Sequence, residues 1–302
     1  MIFVRNLLAG LLALTFFESA ISQENLETVV AKKGDGIFSV LRNEGIDIAK
    51  YYEKFLELNQ DKLKDGSHLA VGETYLIPNA PDSFKNRGVL VQIGNGGERP
   101  IFEGELAALR RKDSSLANTV YYLIEHNEVG SQVKDGIAVN MARRLLQSGA
   151  RVYLFTNGEK DSSGLIDYAG EINRRYLKHN GDYQRLVVMN VDGVDPGIKT
   201  DVTVYHYAKR GESKRFADNI LKVFGENAVK KGSLEDYSKV FTDFESIAFA
   251  KNILPPITFI NMGPEPVDTQ KTMKVSSDRK SIANLIANGI LSDYSNTEFE
   301  GD

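Results

Sequence analysis

The chain has 302 residues, 42% hydrophobic and 26% charged, with 37 basic against 41 acidic side chains and a net charge of −4. That is enough for one large core, or for a small domain plus a medium one, and such mild acidity gives no electrostatic basis for holding nucleic acid or anionic lipid. There is no cysteine, which excludes disulfides, thiolate-bound metal, cysteine nucleophiles and a lipid carried on cysteine.

At the N-terminus, Arg5 precedes an apolar run from Leu7 to Phe17, and Ala20-Ile21-Ser22 forms a small-residue site before Gln23. This three-part pattern predicts a signal peptide over 1–22. A membrane anchor needs about 20 apolar residues, and Glu18 ends this run well short of that. Cleavage removes Arg5 and Glu18 together, so the mature chain keeps its charge. The expected location is the periplasm or the outside of the cell, without a membrane anchor.

Residues 27–79 read as a small α+β unit. Thr28-Val29-Val30 is β-branched and strand-like, Lys32 to Gly36 is a turn, and Ile37, Phe38, Val40 and Leu41 carry helical spacing to Asn43. A second helix follows Asp47, with Ile48, Tyr51, Tyr52, Phe55 and Leu58 on one stripe that stops at Asn59. Val71-Gly72-Glu73 turns the chain into a closing strand, Tyr75-Leu76-Ile77-Pro78. The order strand, helix, helix, strand resembles the LysM glycan-binding module through Lys33-Gly34-Asp35, Ile37-Phe38, Asn59, Val71-Gly72 and Leu76-Ile77-Pro78. Gly36 departs from the family's usual threonine and weakens the first helix cap. The resemblance implies a groove for N-acetylglucosamine-containing chains at Gly34, Asp35, Gly36, Ile37, Leu58 and Asn59. The alternative for Ile37 and Leu58 is a plain core role.

Residues 80–87, with Pro81, Asp82, Ser83 and Asn86, read as a linker. From 88 to 293 strands alternate with helices: strand 89–93, helix 131–148, strand 152–156, helix 165–178, strands 186–190 and 202–207, helix 213–224, strand 257–261 and helix 279–291. Residues 294–302 form a tail. This alternation predicts an α/β fold, a mostly parallel sheet with helices on both faces, whose ligands collect beyond the carboxyl ends of the strands. Within it, 104–129 carries Leu106, Leu109, Leu116, Val120, Leu123 and Ile124 at helical spacing, which predicts one or two added helices. Three strands run into asparagine, at Asn95, Asn190 and Asn261. If those strands are neighbours, the three amides converge; the plain alternative is that each only turns the chain.

This domain resembles the zinc-dependent N-acetylmuramoyl-L-alanine amidases. Gly94-Asn95-Gly96-Gly97 stands against the family's Gly-His-Gly-Gly. The helix Ala142-Arg143-Arg144-Leu145-Leu146 leads through Gly149 into Val152-Tyr153-Leu154-Phe155-Thr156, and Leu186 to Asp192, Ser213 to Ala217 and Pro255 to Gly263 continue the series. The resemblance implies that two histidine ligands fall on Asn95 and Asn190 and the catalytic glutamate on Asn261. The remaining glutamate ligand has no clean match, with Glu125 and Glu128 as candidates and a helix-start or surface charge as their alternative.

A zinc amidase needs a metal to activate water and a carboxylate to shuttle protons. An asparagine amide does not titrate and serves neither role. The expectation is therefore a protein with no catalytic residues, no metal and no cofactor, binding peptidoglycan glycan chains and a wall fragment, a cell-wall hydrolase or an envelope protein. The alternative is an active amidase with a relocated zinc site, for which His126, Glu128 and His206 are the conceivable donors. No Gly-x-Ser-x-Gly elbow occurs, and the acidic loop Asp192 to Gly197 lacks the full calcium-loop pattern.

Overall fold

β-branched Thr28-Val29-Val30 extends as β1 (Thr28–Val30) and pairs antiparallel with β2 (Thr74–Leu76), Val29 opposite Tyr75. Between them run the helices α1 (Ile37–Asn43) and α2 (Ile48–Leu58), whose apolar stripe buries Tyr51 and Phe55. The computed structural model describes residues 26–63, 67–94, 96–126, 136–157, 164–192, 194, 197, 199–207, 211–228, 235–236, 244–263 and 273–300. The expected signal segment 1–22, Asn95 and Glu128 lie outside the described residues. Two compact units result, Met1–Ile37 with Lys50–Asn79, and Phe38–Ala49 with Ala80–Asp302.

In the first unit the side chain of Asn59 ties the end of α2 to β2. Its Nδ2 donates to the carbonyls of Phe55 and Leu76, both at 2.9 Å, and its Oδ1 accepts from Leu76 N at 2.7 Å. The Phe55 ring stacks on Tyr75 with centroids 6.3 Å apart. Gly72 turns the chain at a φ of +86° and donates its N–H to the carbonyl of Ala31, a left-handed position that favours glycine.

The second unit is built on a mixed, mostly parallel sheet. Its strands are β3 (Gly88–Ile93), β4 (Glu98–Pro100), β5 (Thr119–His126), β6 (Arg151–Asn157), β7 (Tyr183–Asn190), β8 (Lys199–His206), β9 (Glu235–Asp236), β10 (Ile257–Met262) and β11 (Met273–Ser276). Their order is β11-β8-β10-β7-β5-β6-β3-β4, with β9 beside β8. Neighbours from β10 through β7, β5 and β6 to β3 are parallel, and β8 enters antiparallel to β10. Ahead of the sheet, the expected linker contains a helical turn, α3 (Phe84–Arg87), capped by the Ser83 hydroxyl, which accepts from Asn86 N.

One face of the sheet is covered by α4 (Ile137–Gln147), α6 (Gly211–Asn227) and α8 (Arg279–Glu300), which bury Leu145, Phe216 and Ile286 against Leu123, Val187 and Ile260. The other is covered by α5 (Ile166–Lys178) and α7 (Phe244–Asn252), which bury Ile172 and Phe249 against Tyr122, Val188 and Phe259. At the closest approach of α8 to α6, Gly289 leaves room where a Cβ would come within 2.7 Å of the Cα of Ile220. The α/β class with helices on both faces is as the sequence predicts. No helix among the described residues is long and apolar enough to cross a membrane.

The stretch 104–129 departs from expectation. A short 3-10 turn covers Leu106–Ala108, but Leu116, Val120, Leu123 and Ile124 do not form added helices. Thr119–His126 is a central strand between β7 and β6, parallel to both. Both faces of this strand are buried from Thr119 to Ile124, so no alternation marks it as extended.

Candidate functional site

In the first unit, the expected glycan residues divide. Asn59 is 2% exposed, and its amide is spent on three backbone groups, so it is a structural bracket and not a ligand contact. Ile37 is 5% exposed and belongs to the core. Gly34, Asp35 and Gly36 lie at the turn surface, with Asp35 Oδ2 accepting from Lys32 N at 2.8 Å and Gly34 at a φ of +93°. Leu58 is half-buried. Of the residues that the LysM resemblance names, the accessible ones are therefore the turn at 34–36 and the flank of Leu58.

In the second unit, the sheet order decides which strand ends meet. β7 and β10 are neighbours in register, so Asn190 stands opposite Asn261, and Asn190 Nδ2 donates to Asn261 Oδ1 at 3.1 Å. Asn190 Oδ1 also accepts from Asp192 N at 3.2 Å, which shapes the turn after β7. Asn190 thus commits a donor and an acceptor inside the protein. β3, which leads to Asn95, is separated from β7 by β5 and β6. Three strand spacings put it about 14 Å away. The sheet joins Asn190 and Asn261 and holds β3, the strand before Asn95, apart, while Asn95 itself lies outside the described residues.

The other strand beside β7 is β5, and its last residues are Glu125 and His126. His126 pairs in register with Asn190, and Asn261 pairs with Thr203 on β8. Residues in register point to the same face, so His126, Asn190, Asn261 and Thr203 form one polar row across four strands. His126 is exposed and the asparagines are half-buried. Thr203 is 1% exposed, and its hydroxyl has no hydrogen-bond partner among the described residues.

Glu125 points to the opposite face, toward α4. Gly136, the N-cap of that helix, has no side chain to offer, and the Glu125 carboxylate takes its place: Oε2 accepts from Ala138 N at 2.7 Å and fills the space where a Cβ on Gly136 would stand. This satisfies an orphan N–H and sets a negative charge on the positive end of the helix. Burial nonetheless pushes the Glu125 pKa up, with the Ala138 N–H, the charge of Arg279 and the Ile137 N–H acting against it. Oε1 is buried with no partner among the described residues.

The relocated histidine pair is also separated. β8 runs against β10, so His206 stands opposite Thr258 at the start of β10, whereas His126 shares its row with Asn261 near the end. Three residues of strand put the two about 10 Å apart along the sheet alone.

No family model matches the chain, and no curated protein sequence does. Solved structures give matches. The CwlD amidase from Clostridioides difficile, solved in complex with the GerS lipoprotein, is 13% identical at a TM-score of 0.34, over 58% of this chain and 98% of that one. The catalytic domain of CwlV, an N-acetylmuramoyl-L-alanine amidase from Bacillus (Paenibacillus) polymyxa var. colistinus, is 13% identical at 0.34, over 57% and 96%. A metallo-carboxypeptidase from Burkholderia cenocepacia is 9% identical at 0.38, over 59% and 58%. At these values no residue role passes from those proteins to this chain.

The donors at the strand ends are a poor match to zinc. Zinc takes imidazole, thiolate or carboxylate in a tetrahedral set, and the described residues contain no group of three or more such side chains placed to hold a metal. Two members of the polar row are amides bonded to each other, and the carboxylate of Glu125, next to His126 in the chain, is turned to a helix end. Glu125 and His126 fall in the stretch 104–129, where the sequence predicts added helices and the structure has β5. The run Val120-Tyr121-Tyr122-Leu123-Ile124, strongly β-forming and ending in two polar residues, was the signal for a strand carrying them to the site.

Proposed function

We propose that the chain is exported and binds peptidoglycan without cleaving it. In this reading, residues 27–79 act as a LysM unit on glycan, and the domain over 88–293 holds a wall fragment, or a hydrolase or envelope protein bound to the wall, at the carboxyl ends of its strands. Asn95, Asn190 and Asn261 stand where the resemblance implies two ligands and a catalytic carboxylate. The observation that carries the reading is the Asn190 to Asn261 hydrogen bond between neighbouring strand ends. A pair of neutral amides both donates and accepts, which suits sugar hydroxyls and peptide amides. It neither ionises nor activates water, which an amidase requires.

The test is retention of the purified full chain on insoluble peptidoglycan, compared with a Gly34→Trp, Gly36→Trp double variant checked for folding by thermal unfolding, together with bound zinc and release of stem peptides. Retention that the double variant loses, without peptide release, is the expected result. Stoichiometric zinc with released stem peptides contradicts the noncatalytic reading, and retention unchanged in the folded double variant contradicts the LysM role.

A further inference from the structure

Away from the strand ends, the second unit contains a cleft of about 290 Å³ lined by Arg42, Arg110 and Arg111 with Asp47 and Asp82. Its floor is apolar, from Ile46, Leu106 and Leu109. The segment Phe38–Ala49 is joined to the sheet side of this unit by Phe84 N donating to the Gly45 carbonyl at 3.0 Å and by Lys85 paired with Glu44 at 2.9 Å.

Two features of the cleft suit an anion. Arg42 Nε is buried with no hydrogen-bond partner among the described residues, a costly state for a charged donor unless something accepts from it. Arg110 is held at the cleft by its guanidinium, which donates to the carbonyls of Ala107 and Leu109 at 2.7 and 2.9 Å, so its charge is already positioned when a ligand arrives.

The charge count narrows the ligand. Three arginines against two aspartates leave one net positive charge in the lining, which matches a carboxylate better than a phosphate carrying two charges, and the guanidinium fork fits a carboxylate in a bidentate way. The volume is at the small end for ligand sites. We propose that this cleft binds the C-terminal carboxylate of a short peptide with small apolar side chains. That a wall stem peptide supplies it rests on the peptidoglycan-binding reading; the carboxylate site itself does not.

The experiment is calorimetric titration of the purified full chain with N-acetyl-dialanine, its C-terminal amide, and inorganic phosphate. The acid is expected to bind at least tenfold more tightly than the amide and than phosphate. Arg42→Gln and Arg111→Gln, checked for folding by thermal unfolding, each weaken it by roughly tenfold. Asp82→Asn removes a competing charge and tightens it, so the proposal does not rest on loss of function alone. Equal binding of acid and amide, tighter binding of phosphate, no binding of any probe, or indifference to all three substitutions overturns it. Retention of Arg111→Gln on insoluble peptidoglycan separates the two claims: if wild type is not retained there, the wall reading fails whatever the titration gives.

Discussion

Asn59→Ala distinguishes a structural bracket from a glycan contact at the position where the LysM resemblance and the structure disagree. The substitution removes three hydrogen bonds of 2.7 to 2.9 Å and leaves the N–H and carbonyl of Leu76 and the carbonyl of Phe55 without their partner. At about 1 kcal/mol net for each bond, plus part of the cost of unsatisfied backbone groups, the loss is about 3 to 4 kcal/mol. For a unit this small that is a large share of its stability. Native-state hydrogen exchange of the full chain reads it directly, because β1 and β2 open only when this unit does. Amides of Ala31 and Ile77, which donate across the strand pair to the carbonyls of Glu73 and Glu27 and not to Asn59, are expected to exchange on the order of 100-fold to 1000-fold faster, at about 1.4 kcal/mol per factor of ten. Exchange unchanged from wild type, combined with lost glycan binding, refutes the argument and returns Asn59 to the ligand face.

Other substitutions probe the larger unit. Asp293, fully buried on α8, faces Arg185 and Arg215 at 3.4 Å each, Asn219 at 3.0 Å and the Tyr183 hydroxyl. Asp293→Ala leaves the buried Arg185 cation uncompensated, costing about 3 to 5 kcal/mol and lowering the melting temperature by on the order of 10 °C; a change under about 2 °C contradicts the clamp. Gly289→Ala ordinarily favours a helix by roughly 1 kcal/mol, but the new Cβ meets the backbone of Ile220 at 2.7 Å. It is therefore expected to destabilise by about 1 to 3 kcal/mol in denaturant unfolding, and a gain in stability refutes the close approach of α6 and α8. Burial raises the Glu125 pKa above its ordinary 4.5, so the folded chain holds that proton more tightly than the unfolded chain. Its contribution is full below 4.5 and is lost as the pH rises through the raised value. Glu125→Gln should flatten that decline in a series of unfolding curves against pH, and an unchanged slope contradicts the burial.

Most of the sheet could be read from the sequence because its strands are short apolar runs set between amphipathic helices. Leu186 to Asn190 lies inside a strand that begins three residues earlier, and Ile257 to Asn261 inside one that ends one residue later, and Ile172 and Phe216 mark the buried stripes of α5 and α6. β5 was missed because Leu116, Val120, Leu123 and Ile124 fall at helical spacing while Tyr121 and Tyr122, equally buried, fill the gaps between them. A strand buried on both faces has no period of two to detect. That one strand changes the site. Placed between β7 and β6, it separates β3 from Asn190 and brings His126 into register with it, a consequence of strand order that no spacing along the chain contains. Asn59 shows the reverse limit: its position matched the motif, but a polar residue at a helix end serves the backbone as readily as a ligand.

We propose that this fold holds peptidoglycan through neutral amides and does no hydrolysis. The most direct measurement incubates the purified chain with insoluble peptidoglycan and assays, in the same sample, the protein retained, the zinc bound and the stem peptides released. The account predicts retention with substoichiometric zinc and no peptide above a no-protein control. One zinc per chain with steady release of stem peptides would contradict it.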